Sequence, residues 1–210
     1  MKNLMYFLAA VCISISCNSQ SKQNDSSKLI GGPCEDCDAL YDYKLLNERI
    51  NSIDTLQGFI QNNPKIKISG RVLHRDGKTP ARNVILYVYQ TNLEGIYEPS
   101  NNARSYEKRH GKFRSWLKTD AEGRYTFYSF RPAPYPNSRE PAHIHLYIKE
   151  EGKNVYYVDS FIFSDDPLLT EKVKRGLENR AGSGILTFEN KADLLMANRD
   201  IILGLNIPDY

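Results

Sequence analysis

In the stretch PYPNSREPAHIHLYIK, His143 and His145 stand one residue apart, after a proline-rich loop and at the head of an alternating apolar and polar run. The whole chain has four histidines. In an extended strand, residues two apart point to the same face, so these two imidazoles are presented to one side together. Neutral imidazoles on one rigid face can take adjacent positions around a metal ion, while Ile144 turns the other way into packing. An H-x-H pair on its own is also compatible with two exposed or hydrogen-bonded histidines. A metal needs further donors, and the carboxylates near the pair are limited to Glu140. Tyrosine is the abundant donor type, with 14 in the chain against 8 Phe and 1 Trp. Tyr97 follows QTNLEGI and Tyr135 lies within RPAPYP, both at strand-loop edges beside glycine or proline turns. A deprotonated phenol is a hard anionic oxygen ligand. Two of them with two imidazoles make an N2O2 set that favours ferric iron over zinc or copper(I).

These residues need a scaffold that holds them, and the pattern around them is β. KIKISGRVLHRDGKTPARNVILYVYQTN gives a strand into Gly70 to Leu73, a turn at RDGKTP and a second strand from Val84 to Gln90. GKFRSWLKTDAEGRYTFYSFRP holds two runs divided by the turn DAEG, and AHIHLYIKEEGKNVYYVDSFIF repeats that layout around EEGK. Short strands at regular spacing, with glycine turns and almost no helical periodicity, predict an all-β fold, an antiparallel β-sandwich. ALYDYKLLNERINSIDTLQGFIQNNP has apolar residues at mixed spacing and reads as an irregular N-terminal wrap. Near the C-terminus a short helix is expected, capped by Asp165 or Asp166, with Pro167 in its first turn and Gly176 at its end. A last hairpin from GILTFE to ANRDIILGL is expected to close the sheet.

With 210 residues and a hydrophobic fraction of 40%, the chain suits one well-buried domain. Lys and Arg number 28 against 25 Asp and Glu, spread along the chain without the basic stripe that a nucleic-acid surface needs. Residues 1–17, MKNLMYFLAAVCISISC, read as an export signal: a positive start, an apolar run too short to span a bilayer comfortably, then small residues. Its end resembles a bacterial lipoprotein signal, with Cys17 as the lipidation site and residues 18–33 as a polar tether. An ordinary cleaved signal is the alternative. The lipoprotein reading gives an exported bacterial protein tethered to a membrane and facing the periplasm or the cell surface, with residues 34–210 as its domain. Outside the cytoplasm Cys34 and Cys37 are expected to form a structural disulfide. A redox pair or half a zinc site is less suited, since no second C-x-x-C and no thioredoxin-like pattern accompanies them.

The succession YVYQTNLEGIY, then FRSWLKTDAEGRYTFYSFRPAPYP, then PAHIH resembles the intradiol ring-cleavage dioxygenases, the family of catechol and protocatechuate dioxygenases. The resemblance runs over roughly Ile66 to Pro167, about half the chain, and implies a β-sandwich core. It further implies that Tyr97, Tyr135, His143 and His145 bind a non-haem Fe(III), with Tyr135 the ligand that leaves when substrate arrives. The implied reaction inserts O2 between the two hydroxylated carbons of a catechol and yields a muconate-type diacid. Charge on the substrate would be met by an arginine, which the family usually places three residues before the first histidine. Here that position is Glu140, with Arg139 one step earlier, and Arg114 in FRSW is the other candidate. Ser115 stands where the family often has glycine, and Ser160 where it often has glutamine.

Two other readings compete. ISGRVLHRDGKTPARNVILYV with KTDAEGRYTF also resembles the carboxypeptidase regulatory-like and transthyretin-like β-sandwich modules, which bind without catalysing; they do not call for RPAPYP followed by PAHIH. A degenerate family member that binds iron or catechol without turnover is the third. His74 in LHRDG and His110 in KRHGK read as solvated loop residues, and Tyr87, Tyr89, Tyr147, Tyr156 and Tyr157 as strand aromatics.

Overall fold

The structure, a computed structural model, describes residues 29–210. The expected signal of residues 1–17, with Cys17, and the tether up to residue 28 lie outside the described residues.

In chain order the strands are β1 (Ile53–Thr55), β2 (Lys65–Leu73), β3 (Ile85–Gln90), β4 (Arg114–Lys118), β5 (Arg124–Phe130), β6 (His143–Lys149), β7 (Tyr156–Phe163), β8 (Ile185–Leu186), β9 (Glu189–Lys191), β10 (Leu194–Asn198) and β11 (Ile201–Ile202). Three short helices accompany them, α1 (Asp42–Leu45), α2 (Glu107–His110) and α3 (Glu171–Gly176). Alternation along the long strands decides how they stack. Ile66 and Ile68 of β2, Leu86 and Val88 of β3, Phe127 of β5, and Ile144, Leu146 and Ile148 of β6 are all buried in one cluster. Each of these strands has one such apolar face, and two sheets packed face to face bury them together. The sheets have the orders β1-β5-β2-β10-β9, with β11 also on β2, and β4-β3-β6-β7-β8.

The fold is the expected all-β sandwich, but its sheets are mixed. The long strands pair antiparallel, whereas β1 runs parallel to β5, β10 and β11 run parallel to β2, and β8 runs parallel to β7. The parallel members are two to five residues long and return to a sheet through connections rather than tight turns. The expected closing hairpin is therefore split: β8 adds to the second sheet, while β9 and β10 form a hairpin on the first. The C-terminal helix also starts later than its sequence suggests. Thr170 caps it, accepting from Val173 N at 3.3 Å. Asp166 instead accepts from Leu168 N at 2.8 Å and Ala142 N at 3.0 Å, which ties this turn to the loop in front of β6.

The N-terminal segment is an irregular wrap containing one 3-10 turn, Cys37–Tyr41, that runs into α1. Cys34 and Cys37 are joined by a disulfide. Ala39 and Leu40 are buried against Tyr87, Tyr89, Trp116 and Tyr147 on the outer face of the second sheet. The last residues expected in the tether lie on the domain itself. Gly31 N donates to Pro208 O at 2.8 Å, and Arg180 Nη2 donates to Gly31 O at 2.9 Å.

Candidate metal centre

Strand β6 serves both sides of its sheet. Ile144, Leu146 and Ile148 enter the core between the sheets, so His143, His145 and Tyr147 face outward, beneath the N-terminal wrap and the loops at one end. On β7, Ile144 pairs with Phe161 and Leu146 with Val158, which leaves two residues, Asp159 and Ser160, opposite His145. This β-bulge kinks the strand beside the histidines, a common device next to functional sites.

The tyrosines come from loops. Tyr97 follows β3 and Tyr135 follows β5, and the two loops are laced together. Thr91 Oγ1 donates to Ala133 O at 2.7 Å and Ala133 N donates to Asn92 O at 3.1 Å. Gly95, at φ +78°, closes the seam: a Cβ there would lie 2.1 Å from Pro134 O. The φ and the close approach both require glycine.

The four side chains converge on one point. Tyr135 Oη lies 3.3 Å from His143 Nε2 and 3.0 Å from His145 Nε2. The two Nε2 atoms are 3.0 Å apart, Tyr97 Oη is 2.7 Å from His145 Nε2, and the two phenol oxygens touch. Donors that share one ion at about 2 Å stand about 3 Å from one another, so these separations fit a single metal. Among the described residues no group of three or more His, Cys, Asp or Glu could hold a metal; the donor set here owes half its members to tyrosine.

Protonation follows from the surroundings. His143 Nδ1 lies 2.8 Å from Pro141 O. A carbonyl can only accept, so Nδ1 carries the proton and Nε2 presents its lone pair to the centre. Burial, with His143 and His110 nearby, holds the His145 imidazole well below its ordinary value and therefore neutral. Burial also pushes both phenols up, Tyr97 further through its contact with Tyr135. Deprotonating them takes a strongly charged cation.

His145 stacks on Tyr89, with ring centroids 4.4 Å apart, and Tyr89 stacks on His110 at 3.9 Å. His110 is thus a correction to the sequence reading. It is buried, not solvated, with Nδ1 2.9 Å from Tyr87 Oη and Nε2 3.4 Å from Asp36. Its basic neighbours pointed to solvent, but SYEKRHG also carries the signal of one helical turn ending at glycine, which puts Tyr106 and His110 on one face. His74 is exposed.

A cavity of about 590 Å³ opens onto the centre, lined by Tyr97, Tyr135, His145, Tyr147, Tyr157 and Ser160 and walled by Pro33 to Asp36 of the disulfide loop. Tyr147 Oη donates to Glu35 O at 3.0 Å, fixing that wall. Neither candidate arginine reaches the four donors. Arg114 is buried in an ion pair with Asp42 at 2.7 Å and lies 3.7 Å from Glu107, because its strand face is covered by the N-terminal wrap. Arg139 is exposed at the loop tip and lines none of the cavities near the centre. Its neighbour Glu140 is the residue that turns inward, with Oε1 3.9 Å from His143 Nε2.

Two imidazoles and two phenols thus meet at one point on the outer face of a two-sheet β fold. Residues 54–199 match the family model described as Dioxygenase. The chain belongs to the intradiol ring-cleavage dioxygenase family. It is 35% identical over 113 residues to the protocatechuate 3,4-dioxygenase beta chain of Burkholderia cepacia, covering 50% of this chain and 47% of that one. The chain thus matches about half the length of that curated relative. Among solved structures, the dioxygenase domain of a dioxygenase carbohydrate-binding protein fusion from Streptomyces sp. SirexAA-E superposes with a TM-score of 0.56 at 20% identity, covering 74% of this chain and 89% of that one. Catechol 1,2-dioxygenase from Acinetobacter sp. ADP1 superposes with a TM-score of 0.53 at 17% identity, covering 72% of this chain and 56% of that one. At these identities the likeness is one of fold.

Proposed function

We propose that the protein is a non-haem Fe(III) intradiol dioxygenase that adds both atoms of O2 between the hydroxylated carbons of a catechol-type substrate, giving a muconate-type diacid. The observation that carries this is the convergence of Tyr97 Oη, Tyr135 Oη, His143 Nε2 and His145 Nε2 within 3.3 Å of their nearest partners. A sandwich module that only binds has no use for four such donors, and the family match stands on the same side. Bound Fe(III) would draw electron density from a chelated catecholate and so make its ring carbon reactive toward O2.

The chain's own residues divide the remaining work. His143 and His145 sit on a strand paired on both sides, so they hold position. Tyr135 sits on a loop and is only partly buried, so it can swing away without breaking a ladder. Its Oη can accept a proton from a substrate hydroxyl as it leaves. Tyr97 Oη remains as an anionic donor, and the stack of His145 on Tyr89 fixes the imidazole plane. We further propose an exported, bacterial, membrane-tethered lipoprotein, supported by the apolar run and small residues before Cys17.

The test is iron content and visible absorption of a chain beginning after Cys17, before and after catechol is added under air. A ferric tyrosinate band, its shift with catechol and release of a ring-opened product establish the reaction. A shift without product leaves a catechol-binding protein, and a colourless protein that takes up no Fe(III) overturns the proposal.

A further inference from the structure

We propose that Glu140 sets the charge of the substrate: the site takes neutral catechols and catechols bearing a protonated amine, and disfavours catechols bearing a carboxylate. The inference rests on the Fe(III) and catechol reading above. Glu140 Oε1 lies 3.9 Å from His143 Nε2, and its side chain is 56% exposed. Among the described residues no Lys or Arg pairs with that carboxylate; its loop is pinned by Glu140 N donating to Ser138 Oγ at 3.0 Å.

A second cavity of about 290 Å³ runs past His143, lined by Glu140, Asp159 and Glu178 and by no Lys or Arg. Tyr157, Val158 and Ser160 line this cavity and the larger one alike, so the two adjoin along that wall, one reaching Tyr97, Tyr135 and His145 and the other His143. Two of the three carboxylates are already engaged. Asp159 accepts from Asn179 N and Arg180 N, each at 3.0 Å, and Glu178 stands 3.6 Å from Arg180 Nη1. Glu140 is left as the uncompensated charge.

The surrounding arginines already have carboxylate partners. Arg109 lines the larger cavity but is paired there with Asp36, Arg114 is paired with Asp42 and Arg131 with Asp165, while exposed Arg139 lines neither cavity. A carboxylate on the substrate would therefore lose its hydration and meet a like charge. An ammonium group would meet an opposite one. At a half-exposed carboxylate each unit of substrate charge changes Kd by about fivefold to tenfold.

The experiment is anaerobic titration of the iron-loaded full-length protein in detergent with catechol, 3,4-dihydroxybenzoate and 3,4-dihydroxyphenethylamine, following the tyrosinate band. The expected wild-type order is amine tightest, catechol next, benzoate weakest by about tenfold against catechol. Glu140→Gln should bring the three within about twofold of one another, and raised salt should compress the wild-type spread. Equal wild-type affinity for benzoate and catechol, or affinity ratios unchanged in E140Q, overturns the role of Glu140 while leaving catechol binding intact. If none of the three probes moves the band, the Fe(III) and catechol reading itself fails, and this inference with it.

Discussion

Replacing Gly95 by alanine should separate the two tyrosines while leaving the sheets in place. Gly95 has φ +78°, and an added Cβ would stand 2.1 Å from Pro134 O, in the loop that carries Tyr135. An ordinary carbon to oxygen approach is about 3.3 Å, so the Tyr97 and Tyr135 loops must part by about 1 Å. The left-handed backbone adds about 1–2 kcal/mol for any residue with a Cβ. Gly152 supplies the control: it has φ +73° and nothing within 4 Å of an added methyl, so G152A carries the backbone cost without the collision. Both variants should lose about 2–8 °C in Tm. Only G95A should lose the ferric tyrosinate band, because donor sets tolerate displacements of about 0.5 Å. Its iron affinity should fall about tenfold to a hundredfold, measured by competition with a chelator. Wild-type iron affinity and spectrum in G95A would refute the claim that this glycine seam brings the tyrosines together.

Other outcomes follow from the same geometry. Asp42→Ala should cost about 3 kcal/mol in denaturant unfolding, since it leaves Arg114, which is 9% exposed, with only the more distant Glu107 at 3.7 Å; R114M in the same chain should restore part of that loss. Burial, with Arg114 and Arg109 nearby, holds the His110 imidazole down at about 4, and the Asp42 carboxylate only partly offsets them. The unfolded imidazole gains its proton near pH 6.5 and the folded one only near 4, so stability is full above pH 6.5 and declines as pH falls toward 4. The decline reaches at most about 3 kcal/mol, and thermal melts of H110Q should lack that slope. Alanine at His143 or His145 should abolish iron uptake with the far-ultraviolet dichroism of the sheets unchanged. Cys17→Ser should move the protein from the detergent phase to the aqueous phase; unchanged partition would remove the lipid anchor.

The long strands were legible because alternation is a local signal: β2, β3, β5, β6 and β7 each send one face into the core between the sheets, and the period of two shows it directly. The shared face of His143 and His145 was legible for a related reason, since residues two apart on a strand point the same way whatever surrounds them, whereas Tyr97 and Tyr135 reach them from loops that no period describes. The short parallel strands were not, because β8 and β11 have two residues each, too few to carry a period, and their partners are set by chain path. The cap of α3 was misjudged because Asp166 and Thr170 both suit that role. Burial of Asp166 against the Ala142 amide decided between them, a contact between residues 24 apart. His110 was hidden by its charged neighbours, which stay at the surface while the histidine turns under Tyr89. Arg114 failed for the same physical reason: its guanidinium follows a nearby carboxylate, and Asp42 lies 72 residues away from it in sequence.

Strand β6 places the folding core on one face and the candidate centre on the other, and this has a consequence for how such a protein can change over time. Leu146 and Val158 belong both to the cavity walls and to the cluster between the sheets, but other side chains lining the outer cavities, among them Glu140, Tyr157 and Ser160, are absent from that cluster. Substitutions there can accumulate singly, altering which ring is accepted, without eroding the packing that keeps the chain folded. A one-residue slip along β6 is the opposite case. It would exchange the two faces at once, turning the imidazoles into the core and the isoleucines into the cavity. Natural variation within this scaffold should therefore be generous in the walls of the cavity and in loop lengths, and close to forbidden in the spacing between β6 and its partners.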